Sequence, residues 1–303
     1  MSENDYIFIG GTMRSGILLT PVILGSNSHF AVYPRYVPLW GFYEKYPKVI
    51  KEKEDWIKVI DEILAHKKAG YVSIGFRDSA IKHFEVRPFD LPEFIRYFID
   101  RYAEKLNKEI PALKTPNNER YADEIFKYFP NSKFIHLIRD PRNVEASRYH
   151  RTKIWADEPL YHARVWQESI QLAELNQIKF PDRYMVIKYE DIVTNQEKAV
   201  KGICEFLNLE YEAKMMEFEG LEDWSGGNSS FGNISSGEIN SETLSRYTKY
   251  LPKSRRFLLQ WKLGDSINKI GYPKDELKLN LITRAFWKVF FKLDPRNIKS
   301  ILR

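Results

Sequence analysis

Residues 6–20 read YIFIGGTMRSGILLT. A short apolar run, Tyr6–Gly11, predicts a strand. A glycine turn follows, then one arginine and the start of a helix. Gly11 and Gly16 bracket four residues as in the first half of a nucleotide-hydrolase phosphate loop, G-x-x-x-x-G. The second half of that pattern needs a lysine and a hydroxyl, but Ile17 and Leu18 stand there instead. Without them the loop has no β/γ-phosphate clamp and no hydroxyl for Mg²⁺, which argues against a kinase or ATPase. Backbone N–H groups at a helix start remain, with Arg14 to grip one terminal anionic group. Taken alone, the stretch is equally consistent with a simple glycine turn.

Outward from the loop, KFIHLIRD (133–140) and YMVIKYEDI (184–192) are short apolar runs of the kind buried in a parallel sheet. Helical periodicity lies between and after them: 49–68, 92–106, 120–129, 161–178, 196–209 and 252–272. Strands alternating with helices predict a doubly wound α/β fold with a central parallel sheet flanked by helices. The 303 residues suit one large domain with insertions. The longest glycine- and serine-rich segment, 224–238, reads as a linker or a ligand-closing loop.

The net charge of +6 suits acidic ligands, nucleic acid or a membrane surface, or simply solvated helix faces. The one cysteine, Cys204, excludes an internal disulfide and sits at helical spacing with Ile203, Phe206 and Leu207, so a buried structural thiol is expected. The N-terminus lacks a basic start followed by a long apolar run, and no stretch is long enough to span a membrane. A cytoplasmic location is therefore expected.

A second element pairs with the loop. In KFIHLIRDPRNVEASRYHRT (133–152), Arg139 leaves a strand end and Pro141 suits a first helical position. Ser147 and Arg151 share one face of the helix that follows. Arg139, Ser147 and Arg151 can converge on one phosphate. The alternative is a surface salt-bridge helix using Arg142, Glu145 and Arg148.

Together the two elements resemble the sulfotransferase family. GGTMRSG resembles its 5′-phosphosulfate loop and FIHLIRDPRNVEASRY its 3′-phosphate motif. KYEDIVTNQEKAVKGICEFLNLEY is similar to the strand and helix that follow. NSSFGNISSGEINSETLSRYTKYLP (228–252) resembles the closing loop and helix of the branch that includes tyrosylprotein and many bacterial sulfotransferases. The resemblance runs in order to Tyr272. It implies a three-layer P-loop-like fold over residues 1–272, binding 3′-phosphoadenosine 5′-phosphosulfate (PAPS) and moving its sulfuryl group to a hydroxyl or amine. Residue by residue, it puts Arg14, Ser15, Gly16 and Ile17 on the 5′-phosphosulfate, and Arg139, Ser147 and Arg151 on the 3′-phosphate. Tyr189, Ser230 and Arg246 match later cofactor contacts. Lys114, in ALKTPNNERYADEIF, matches the lysine before the helix that leads to the 3′-phosphate strand. Such a transfer has a loose, charge-spread transition state. It needs a cation at the leaving oxygen, here Arg14 and Lys114, and a base for the acceptor, but no metal.

The sequence departs from the family at two places. The loop usually continues R-S-G-T-T, and Ile17 and Leu18 remove both hydroxyls, each worth about 1–2 kcal/mol to a charged acceptor. If Thr20 caps the helix and Pro21 opens it, the helix also starts late. In the related branch a glutamate often follows a proline about 20 residues past the loop, and Arg35 follows Pro34 here. Arg35 cannot act as a base, although it suits an anionic acceptor. Glu44, His29, His83 and Glu85 are the remaining candidates, and Glu44, after an aromatic-rich run, is preferred. These departures leave a second reading open, a non-catalytic relative that binds PAPS or its product as a sensor or membrane-associated scaffold.

Residues 273–303 form a basic amphipathic tail beyond the resemblance. Arg284, Lys288 and Lys292 make a row. Leu281, Ala285, Phe286, Val289, Phe290 and Leu293 make the opposite face, with Trp287 and Phe291 beside the basic row. Peripheral contact with an anionic membrane is one expectation, and docking on the chain's own core or on a second subunit is the other. Nucleic acid is not expected as a partner. The acceptor, whether a glycan, a lipid-linked glycan or a small molecule, is left open.

Overall fold

The computed structural model describes residues 6–34, 36–46, 49–66, 75–152, 159–217 and 241–293, with the backbone alone for 150–152, 159, 160 and 293. Seven strands lie among them: β1 (Ile7–Gly11), β2 (Phe30–Val32), β3 (Val49–Ile50), β4 (Phe89–Asp90), β5 (Ile110–Lys114), β6 (Lys133–Ile138) and β7 (Tyr184–Lys188). Five of them form a parallel sheet in the order β2-β5-β1-β6-β7, while β3 and β4 pair antiparallel apart from it.

Side chains alternate across the sheet. Phe8, Leu113, Phe134 and Tyr184 point to one face, and Ile7, Ile9, Ile135, Leu137 and Ile187 to the other. Both faces are covered, which is why β1 and β6 read as near-continuous apolar runs. On the first face lie α2 (Leu39–Lys45), α3 (Lys53–Ala65), α4 (Phe76–Phe84), α5 (Leu91–Lys105) and α6 (Ala122–Tyr128). Their shared core is aromatic, with Tyr33, Trp40, Trp56, Phe89, Phe94 and Phe129 all buried. Beyond them α7 (Pro141–Thr152), α8 (Pro159–Lys179) and α12 (Lys253–Lys269) build a third cluster from Ile138, Ala146, Trp166, Leu259 and Ile267. On the second face lie α1 (Leu19–Gly25), α9 (Tyr189–Thr194) and α10 (Gln196–Leu207). The result is three layers, helix on sheet on helix. Short α11 (Arg246–Tyr250) packs against α7, and α13 (Leu281–Leu293) against α12.

Local signals explain several boundaries. The Asp90 carboxylate accepts the Glu93 N–H at 2.8 Å and caps α5, with Pro92 in its first turn. Asn208, at φ 58°, ends α10 in the left-handed conformation that asparagine tolerates. Cys204 is buried on α10, and burial pushes its thiol up to about 11, as suits a structural residue. The periodic stretch at 49–68 gives α3, but Val49 and Ile50 leave it for β3.

Chain order places the site. From β1 the chain goes by way of α1 to β2 on one side, and from β6 it goes to β7 on the other. The two adjacent strands β1 and β6 therefore send their connections in opposite directions. The crevice at their carboxyl ends is the topological switch point, where open parallel sheets bind ligands. The loop 12–18 and the start of α7 both sit there.

Candidate functional site

The loop after β1 is built on positive φ values at Gly11 (124°), Arg14 (78°) and Gly16 (106°). A Cβ on Gly11 would lie 2.2 Å from the Leu137 carbonyl oxygen, so the loop can leave β1 against β6 only as glycine. A Cβ on Gly16 would lie 2.7 Å from the Tyr189 ring. Ser15 is fully buried. Its amide and its hydroxyl both donate to the Thr12 carbonyl, at 3.1 and 2.7 Å, which closes the turn. Ile17 buries its side chain in the second-face core beside Val22 and Ile192. Leu18, not Thr20, occupies the N-cap, without a side-chain bond. Thr20 and Pro21 are the second and third residues of α1. The helix therefore begins earlier than the Thr20-Pro21 pair predicts. Pro21 falls among the first four positions, whose N–H groups have no intrahelical partner in any case. Among the described residues, the amides of Gly16, Ile17 and Leu18 have no backbone acceptor, so the loop presents N–H groups where the family loop adds hydroxyls.

The two motifs meet. Arg14 Nε donates to Ser147 Oγ on α7 at 2.9 Å. Arg139 donates to the Arg14 carbonyl at 3.1 Å and to the Thr243 carbonyl at 2.9 Å, and its guanidinium lies 4.0 Å from the centre of the Tyr189 ring. The Tyr189 hydroxyl donates to Thr243 Oγ1 at 3.2 Å. Arg139 Nε is buried without an acceptor among the described residues. Arg246 opens α11 nearby. Burial lowers the pKa of its guanidinium, Tyr189 opposes that, and the Arg139 charge lowers it further. Arg14, Arg139, Ser147, Tyr189 and Arg246 thus converge at one place. The side chain of Arg151 and the whole of Ser230 lie outside the described residues, as does Arg35.

Lys114 is buried at the carboxyl end of β5, paired in register with Ile9 of β1, two residues before Gly11. It therefore flanks the loop. Glu44 is exposed on α2 near the Tyr121 hydroxyl, which burial first and then the Glu44 carboxylate hold well above the usual phenol range. Tyr121 ends the 3-10 turn Asn118–Tyr121, which follows Lys114 closely. The other base candidates sit elsewhere. His29 pairs with Glu109 at the amino ends of β2 and β5, opposite the loop. Glu85 pairs with Lys53, and His83 hydrogen-bonds Arg87.

Sequence reading missed the buried network beneath the loop. The Glu119 carboxylate accepts the Gly11 N–H at 2.7 Å and the Ser169 hydroxyl at 2.6 Å. Because Ser169 spends its proton on Glu119, its oxygen accepts from His136 Nε2 at 2.9 Å. That leaves His136 Nδ1 to accept from the Tyr184 hydroxyl at 2.8 Å. Asn176 Nδ2 donates to Tyr184 and to the Glu119 carbonyl. The chain of bonds fixes a neutral His136 with its proton on Nε2, and burial lowers its pKa. The one signal in sequence was His136 inside an otherwise apolar strand. A second set fixes the start of α7. Asp140 accepts the Arg142 N–H and binds the Arg142 guanidinium through both oxygens, while the Asp140 N–H donates to Glu190 at 3.0 Å. Tyr272 donates to the other Glu190 oxygen at 3.0 Å. Asn143 ties in the segment before α11, donating to the Leu244 carbonyl at 2.7 Å and accepting the Tyr247 N–H at 3.2 Å.

The model of the Sulfotransferase family matches residues 5–213, more than half of the chain. An uncharacterized protein of Aquifex aeolicus is 29% identical over 223 residues, covering 70% of this chain and 26% of its own length. Protein-tyrosine sulfotransferase 1 of Danio rerio is 26% identical over 225 residues, covering 73% of this chain and 58% of its own. The chain thus matches less than two-thirds of the length of either relative. Among solved structures, the sulfotransferase domain from the Synechococcus PCC 7002 olefin synthase superposes with a TM-score of 0.64 at 16% identity, covering 90% of this chain and 96% of that domain. That likeness carries the fold, and the family match carries the membership: the chain belongs to the sulfotransferase family.

Proposed function

We propose that this protein transfers a sulfuryl group from PAPS to a hydroxyl or amine acceptor. The observation that carries the reading is the bond from Arg14 Nε to Ser147 Oγ, which makes one site of the loop and the β6–α7 motif. The donor set fits a nucleotide with anionic groups at both ends. Loop amides without a backbone acceptor among the described residues lie beside Arg14, Arg139 and Arg246, and the buried Arg139 Nε lacks an acceptor among them too. PAPS would bring a sulfuryl group already attached to a phosphate leaving group.

The chain's own residues would do the rest. The amides of Gly16, Ile17 and Leu18 and the Arg14 guanidinium hold the 5′ end. Arg139, Ser147 and Arg246 hold the 3′-phosphate, with Arg151 and Ser230 as further contacts, and Tyr189 supports Arg139. Lys114 and Arg14 neutralise charge as it gathers on the leaving oxygen. Glu44, beside the turn that follows Lys114, takes the acceptor's proton. The residues that hold the 3′ end act on binding, and those at the leaving oxygen act on the rate.

One observation favours the second reading, a PAPS or PAP binder without turnover. Ile17 is spent on the core and the Ser15 hydroxyl on Thr12, so the loop lacks the hydroxyls of its relatives. Incubation with ³⁵S-labelled PAPS and separated polysaccharide, lipid and protein fractions tests both readings. Label carried into one fraction, and lost in Arg14→Ala, supports transfer and names the acceptor class. Saturable PAPS binding with no fraction labelled establishes the binder instead.

A further inference from the structure

Helix α13 does not use its most apolar face to pack on the fold. Trp287 lies 5.7 Å from Phe257 of α12, ring centre to ring centre, and Phe291 is 3% exposed, so the helix docks along the seam Thr283, Trp287 and Phe291. The side chains expected beside the basic row are thus the ones that hold the helix down. The expected apolar face turns outward: Leu281 is 82% exposed, Phe286 62%, Val289 56% and Phe290 43%, and Ile282 joins it at 81%. Five of the twelve large exposed apolar side chains among the described residues lie on this one helix, which marks it as a surface with a partner. Arg284, Lys288 and Lys292, all exposed, run along the flank between the seam and the apolar face, and Lys288 lies 5.7 Å from the centre of the Trp261 ring. No acidic side chain interrupts α13. No helix among the described residues is long and apolar enough to cross a membrane.

The geometry points to α13 as a docking surface for an anionic lipid membrane, which holds the protein on the bilayer surface without spanning it. Two features choose this occupant. The outward face is a convex helix of large apolar side chains, which suits insertion at the boundary between headgroups and acyl chains. The cations run in a line beside it, where they meet lipid phosphates while the apolar face stays buried. Because the seam packs on α12, binding would hold the fold at the bilayer surface.

The test is co-sedimentation of the full chain with vesicles at low and high salt. Binding is expected to mixed phosphatidylcholine–phosphatidylglycerol vesicles at low salt, to weaken with salt, and to be far weaker with phosphatidylcholine alone. Each of Arg284→Gln, Lys288→Gln and Lys292→Gln should lower the partition about fivefold. Phe286→Ser with Phe290→Ser should lower it at least about tenfold. These side chains point outward, so the variants should melt with the native chain, and the readout does not depend on sulfuryl transfer. Three results would overturn the inference: no binding by the native chain, variants that bind as it does, or a lipid-free dimer split by the Phe286/Phe290 change while vesicles stay bare. The last would make α13 an interface between copies.

Discussion

Replacing Glu119 probes the link between the buried network and the loop. Its carboxylate holds two donors, Gly11 N–H at 2.7 Å and Ser169 Oγ at 2.6 Å, and the residue is 1% exposed. Hydrogen bonds to a charged acceptor contribute about 1.5–3 kcal/mol each, so Glu119→Ala forfeits about 3–6 kcal/mol and strands both donors. Relief of the carboxylate's own burial returns part of this, leaving a net loss of about 2–4 kcal/mol. At about 2 °C per kcal/mol for a chain of this size, the melting temperature should fall by about 4–8 °C. Glu119→Gln keeps the shape and one acceptor, so its loss should be near 1 kcal/mol. Calorimetry supplies the melting temperatures, and titration with adenosine 3′,5′-bisphosphate supplies a second readout. If Glu119 sets the loop through Gly11, the alanine variant should bind the nucleotide more weakly even where it is fully folded. An alanine variant that melts with the native chain and binds as tightly would show that Glu119 does not set the loop.

Three further outcomes follow from the same geometry. His136 is held neutral by burial, with a pKa below the ordinary 6.5, so the unfolded chain binds the proton more readily than the folded one. Its contribution is fully present above about pH 6.5 and is lost as pH falls below that, by up to about 1.4 kcal/mol per pH unit. Denaturant titrations should show this slope in the native chain and not in His136→Gln. Separately, Arg14→Ala and Lys114→Ala should cut turnover by about two orders of magnitude, more than they weaken nucleotide binding. Arg139→Ala should mainly weaken binding, and should also lower stability because it frees the Arg14 and Thr243 carbonyls.

How much of this was legible in the sequence depended on the length of the local signal. β1, β6 and β7 carry apolar runs that need no partner to be recognised, and α3, α5, α8, α10 and α12 repeat their apolar positions over several turns. β2 has three residues, too few for a pattern. β5, IPALK, contains Pro111, which argues against a strand, yet it lies between β2 and β1 inside the sheet. Arg14 and Arg139 were legible because each sits just beyond a strand end, where chain order alone brings strand ends together, and Ser147 because it lies about two turns along the helix that leaves β6. Glu119 and Ser169 were not, because each reads as an ordinary polar residue, Glu119 just before one helical stretch and Ser169 within another. Only the packing of α8 over β6 reveals that they face His136. The docking of α13 was half legible. Its amphipathic pattern is plain, but which face meets α12 is decided by Phe257 and Trp261, about 30 residues earlier.

The most direct measurement of the central claim, that the loop and the β6–α7 motif form one site for a nucleotide phosphorylated at both ends, is ligand protection against heat. Adenosine 3′,5′-bisphosphate at about 100 times its Kd should stabilise the native chain by about 2.7 kcal/mol. That protection should fall measurably in Arg14→Ala and sharply in Ser147→Ala, and ATP with magnesium should protect poorly. Equal protection by magnesium-ATP, or full protection by the bisphosphate in both variants, would contradict it.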